Sequence, residues 1–255
     1  MYRKHKTKHR IKWLFGALVC CFSLLLVSCA GSPATTDSTP DTSADPFVIP
    51  MDRVPDSYFN VDTDTLTLVG EDKYDPTAVL YVDENGTEFE FDKTTGAYRG
   101  FFPPFHAIEQ DDTLSMDAIE KAADELAARF VDTDDYERSY FHQEDTRVHK
   151  FTYCKSINGY PTTDVGIVWI CADGTVGLIS FINTGIFDDI ELPTIDEQSL
   201  DTKFYQAIGD RICEEIEKRT LSVENGVLCL RYDYVYHGAH SEEYPTLDMI
   251  SIPIE

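Results

Sequence analysis

The chain is short of positive charge. Lys and Arg number 21 against 46 Asp and Glu in 255 residues, a formal net charge of −25. Six of the bases fall within residues 1–12, which hold no acid, so the rest of the chain is more acidic still. Such a surface repels phosphate, which excludes nucleic acid as a partner and disfavours direct contact with anionic lipid headgroups. The acids serve solubility, with weak calcium binding as the alternative. Asp62 with Asp64, and Asp132 with Asp134 and Asp135, lack the spacing, glycine and distal Glu of an EF-hand loop.

Catalytic motifs are missing as well. There is no Gly-x-Ser-x-Gly elbow and no His-Glu-x-x-His zinc helix. His237 and His240 stand three apart in "HGAH" with no carboxylate between them, and His106, His142 and His149 are scattered. His142 and Glu144 would share a strand edge, a poor arrangement for a base and its orienter. Outside residues 1–28, which hold Cys20 and Cys21, cysteines in close pairs are also absent, which argues against zinc. Cys154, Cys171, Cys213 and Cys229 read as buried thiols, with one disulfide as the alternative in an exported protein. The expectation is a protein that is not an enzyme and has neither cofactor nor metal.

Long apolar runs are limited to one, residues 13–27, directly after the basic start. Fifteen residues fall short of the roughly 20 that span a bilayer, and the order of basic then apolar is that of a secretory signal. Leu26-Val27-Ser28-Cys29 comes next and resembles the lipobox of bacterial lipoproteins. That resemblance implies cleavage between Ser28 and Cys29, lipid on the Cys29 sulfur, and anchoring on the outer face of a bacterial membrane. Two acyl chains hold stably where one binds marginally. Loss of residues 1–28 leaves 15 bases against 46 acids, a charge of −31 on 227 residues. Residues 29–56, rich in Pro, Ser, Thr and Asp, read as a flexible tether, with the folded part starting near Tyr58.

From Tyr58 onward, strand and helix patterns alternate. Strands are expected at "TLTLV", "AVLYV", on both sides of "DKTTG", at about 136–142, 147–156, 164–172 and 175–182, and at "VLCLRYDYVY" and "MISIPIE". Turns fall at Asn85-Gly86, Asp173-Gly174 and Asn225-Gly226. A first helix is capped by Ser115, with Asp117 in its first turn and Arg129 in its last, and carries Ile119, Ala122, Ala123, Leu126, Ala127 and Phe130 on one stripe. A second is expected from a Thr194–Glu197 capping box, with Leu200, Phe204, Ile208, Ile212 and Ile216 on its face and Lys218 and Arg219 closing it. Gly86-Thr87 and Gly174-Thr175 each open a strand ending in Thr-Gly, which hints at an internal repeat. The class is α+β, antiparallel sheets packed by two helices, with halves at 57–190 and 191–255.

Ala122, Ala123 and Ala127 on the first helix, "NGYP" at 158–161, "ADGTV" at 172–176 and "FDKTTG" at 91–96 together resemble PepSY-like domains and thermolysin-type propeptide modules of secreted bacterial proteins. Tyr160 and Thr162 depart from the propeptide pattern, which has an aliphatic residue and Val there. The resemblance implies cystatin-like halves and a non-catalytic role, in some relatives holding or inhibiting a protease. Both faces of "VGIVWICA" are apolar, so one meets a helix and the other more protein or a partner. Tyr160 and Trp169 of this hairpin, with Tyr232, Tyr234 and Tyr236 alternating along one strand face, form the candidate partner surface. Such a Tyr row suits a cell-wall glycan or a protein partner, with sheet packing as the alternative. The partners expected are thus the membrane through Cys29 and either a secreted or membrane protease or wall glycan.

Overall fold

Period-2 alternation dominates the chain after residue 60, and strands dominate its fold. A computed structural model describes residues 47–104, 114–143, 147–188, 190–237 and 246–254. The signal, Ser28, Cys29, most of the tether, His106, Glu144 and His240 lie outside the described residues. The strands are β1 (Thr67–Glu71), β2 (Ala78–Val82), β3 (Glu88–Asp92), β4 (Tyr98–Phe102), β5 (Tyr136–Gln143), β6 (Val148–Ile157), β7 (Tyr160–Cys171), β8 (Val176–Ile182), β9 (Ile212–Glu224), β10 (Val227–His237) and β11 (Thr246–Pro253). Helix α1 (Met116–Ala127) precedes β5 and α2 (Glu197–Ile208) precedes β9.

The class is α+β. All eleven strands belong to one mixed sheet, rather than to separate antiparallel sheets. Its path runs β1-β2-β3-β4-β8-β7-β9-β10-β11, with β6 and then β5 branching from β7. Every pairing is antiparallel except one parallel bridge, Thr162 to Leu221, which joins β7 to β9. Tight turns make the hairpins. Asn158-Gly159 and Asn225-Gly226 take positive φ at both residues, 53° and 83° in the first and 53° and 78° in the second. That geometry matches the strand twist and is open chiefly to Asn and Gly.

Helix α1 forms as the sequence implies. Ser115 Oγ accepts from the Ala118 N–H, and Ile119, Ala122, Ala123, Leu126 and Ala127 are buried. They pack on Phe151, Tyr153, Val168, Ile170, Ile179 and Phe181 of β6, β7 and β8. Arg129 lies beyond the C-cap, Ala128, instead of in the last turn.

Helix α2 departs from expectation at both ends. Its N-cap is Asp196, whose carboxylate accepts from Ser199 N–H, not Thr194. It stops at Gly209, φ 64°, and Ile212 and Ile216 lie on β9. Spacing of four from Ile208 imitates a helical stripe, but the glycine breaks the helix and β10 pairs with β9 from Ile212 to Glu224. Leu200, Phe204 and Ile208 bury a second core against Leu221, Leu230, Tyr232, Tyr234 and Ile252.

The folded body also begins earlier than Tyr58. Ile49 is buried, Pro50 bridges Thr175, and the Val176 N–H donates to the Ile49 carbonyl at 2.8 Å. Phe47, Met51 and Val54 pack on the first core. The polar composition of residues 29–56 conceals this apolar run at its end, which gains backbone partners at the head of β8.

Candidate functional site

The Tyr row is a packing surface. Tyr232 is 0% exposed and Tyr234 1%. Phe204 of α2 stacks on Tyr232 at 4.6 Å between centroids, and the Tyr232 hydroxyl donates to Asp201 at 2.9 Å. Arg211 donates to the Tyr234 hydroxyl at 2.8 Å and lies over the half-buried Tyr236 ring. The strand alternation is legible in the sequence, but α2 covers that face. Tyr232 and Tyr234 are therefore corrected from partner surface to core. Tyr160 and Trp169, both half-buried, lie at opposite ends of β7 and form no common site. Tyr160 donates to Glu197 of α2, and the Lys150 ammonium sits 4.2 Å from the Trp169 ring centroid.

The four described cysteines are unbonded. His149 is buried against Tyr140, whose hydroxyl lies 2.9 Å from Nδ1, and stacks on His142. Burial, then the neighbouring His142, lowers its pKa. Asp62 and Asp132 accept from the backbone of Asp64 and Asp134, so these acids shape turns.

The arrangement with most chemical capacity is an open cleft of about 630 Å³ at the C-terminal end of α1. Its wall is the chain leaving the helix, Ala128 to Thr133, with Asp135, Tyr136 of β5, Lys155 of β6, and Asn183 and Asp188 after β8. Strand register explains the grouping. Tyr136 pairs with Lys155 across β5 and β6. On β7, Asp164 has the parity of the buried Val168 and Ile170, which places it on the α1 face beyond the helix end.

Lys155 is buried and its ammonium pairs with Asp188. Asp164 is fully buried. Its Oδ1 accepts from Thr184 N–H at 3.1 Å and Thr184 Oγ1 at 2.7 Å, while Oδ2 has no partner. Burial pushes the Asp164 carboxyl above the usual carboxylate range, against the lowering effect of Thr184 and Lys155. The Tyr136 hydroxyl is likewise buried and unpartnered. Burial first, then Asp164, Asp188 and Asp135, raise its pKa. A buried polar atom without a partner costs about 1–3 kcal/mol, and both are closed to solvent, so a buried water, not a group in the open cleft, suits them.

Sequence reasoning missed this group. The available signal was a charge at inward strand positions, Lys155 beside Phe151 and Tyr153, and Asp164 beside Val168 and Ile170. Comparison with protein-family models, with curated proteins and with solved structures finds no match to the chain.

Proposed function

We propose that the protein is a lipid-anchored binding module on the outer face of a bacterial membrane, acting without catalysis. The signal and the Leu26–Cys29 lipobox support the address. The observation that carries the binding role is the open cleft at the end of α1, lined by Asp132, Asp135, Tyr136, Lys155, Asn183 and Asp188. A helix followed by the hairpin-connected strands β5, β6, β7 and β8 supports the PepSY-like reading of this half, and α2 followed by β9, β10 and β11 supports a second, smaller half of the same grammar. Wall-glycan binding on the Tyr row loses its platform, since Tyr232 and Tyr234 are buried under α2.

The test is in-cell crosslinking of a C-terminally tagged chain followed by mass spectrometry. A secreted or membrane protease, or another single partner, recovered in quantity and reduced by Asp135→Asn in the cleft supports the binding role. Recovery of background proteins alone, with no small molecule co-purifying, refutes it.

A further inference from the structure

Strand register sets one row across four strands. Phe141 of β5 pairs with Lys150 of β6, Lys150 with Trp169 of β7, and Trp169 with Leu178 of β8. Their chain neighbours Phe151, Val168 and Ile170 pack on α1, so period-2 alternation turns this row to the other face of the sheet. Lys150 is 9% exposed, and its ammonium lies 4.2 Å from the Trp169 ring centroid. It has no hydrogen-bond or ion-pair partner among the described residues, and its nitrogen keeps contact with solvent. The adjoining row, Ser139, Thr152 and Ile167, holds no acid either. The other buried cations of this acidic chain are paired, Arg99 with Asp75, Glu90 and Asp92, and Lys155 with Asp188. Among the described residues, Lys150 is thus the buried base without a carboxylate.

We propose that Lys150 captures small aldehydes as an imine. Water and neighbouring acids hold an exposed lysine protonated, and an ammonium has no lone pair to give. Taking both away leaves a nucleophilic amine, the arrangement that activates lysines toward carbonyls. Burial lowers the Lys150 pKa, which acts in the same direction. The neutral amine attacks the carbonyl carbon, a C=N bond replaces the C=O bond, and the two amine protons leave with the carbonyl oxygen as water. No atom changes oxidation state. The amine is flanked by Trp169 and by Phe141, 45% exposed, so the row seats a flat uncharged aldehyde, while the net charge of the chain repels anionic ones. Lys150 does not line the cleft at the end of α1, so the proposal goes beyond the binding role assigned there.

Reductive alkylation of the full chain in mild detergent tests this. Benzaldehyde is the probe, cyanoborohydride fixes the imine as a secondary amine, and peptide mapping by mass spectrometry reads the rate at each lysine. At about pH 7, Lys150 should label about tenfold faster than the exposed Lys73 and Lys121. The ratio should fall near about pH 10, where exposed amines also lose their proton. Labelling of Lys150 at or below the rate of the two exposed lysines overturns the proposal. A preference that persists in the urea-unfolded chain overturns it too, since the reactivity would then come from local sequence and not from the fold.

Discussion

Arg99 is the residue whose loss should cost the fold most for its size. It enters β4 where the β3 register shifts between Glu90 and Phe91, and its guanidinium is buried on the polar side of the sheet. Nη1 reaches Asp75 at 2.9 Å and Glu90 at 3.4 Å, and Nη2 reaches Asp92 at 2.6 Å and Thr77 at 3.1 Å. Glu90, 2% exposed, is closed from the other side by the Ser180 hydroxyl at 2.7 Å. Burial raises the Glu90 pKa, and Ser180 and Arg99 counter it. Arg99→Met keeps the aliphatic stem and removes the charge, leaving a buried carboxylate uncompensated. That situation costs about 3–5 kcal/mol, or roughly 6–20 °C in melting temperature for a body of this size. The pH dependence identifies the cause. Without Arg99, Glu90 binds a proton in the folded state at pH values where the unfolded chain has lost it. Stability then falls as pH rises from the ordinary carboxylate range toward the elevated folded value, by at most about 1.4 kcal/mol per pH unit. The deficit should therefore shrink on acidification from pH 7 to 5, and Glu90→Gln in the Arg99→Met background should recover much of it. Urea unfolding of the wild type, Arg99→Met and the double variant at both pH values measures this. A deficit below about 1 kcal/mol, or one flat with pH, would refute the reasoning by showing that water screens the network.

The geometry sets three further outcomes. Gly100→Ala places a methyl 1.9 Å from the Ile179 carbonyl oxygen, at one of two residue pairs joining β4 to β8, and should cost at least about 1–3 kcal/mol, read by thermal unfolding. Tyr234→Ala empties a site in the second core and should cost about 3–5 kcal/mol, with Tyr234→Phe near 1; a neutral alanine variant would argue that this face is open after all. Cys29→Ala should move the protein from the membrane fraction to the soluble fraction, and unchanged sedimentation would remove the lipid anchor from the proposal.

Local rules were legible wherever one element could be decided by itself. The Ser115 cap, the α1 stripe, the Asn-Gly turns and most strands could be placed because propensity, capping and period agreed over neighbouring residues. A helix running through Ile216 does not form, because Ile208, Ile212 and Ile216 share helical spacing across a break that Gly209 makes. Residues 47–56 look like tether because their Pro and Asp content hides apolar residues such as Ile49 and Met51, whose backbone partners, Val176 and Gly174, lie more than a hundred positions away.

The α+β class, the acidic charge and the alternation that puts Tyr232, Tyr234 and Tyr236 on one face could be read from the residues alone. A strand's period says which residues share a face, not what covers it. Only the tertiary structure decided that α2 lies on that face and turns a candidate surface into core. It alone brought Tyr136, Lys155, Asp164 and Asp188 together from four separate segments at the end of α1. Strand register and helix length set that meeting, and both depend on pairings between residues far apart in the chain.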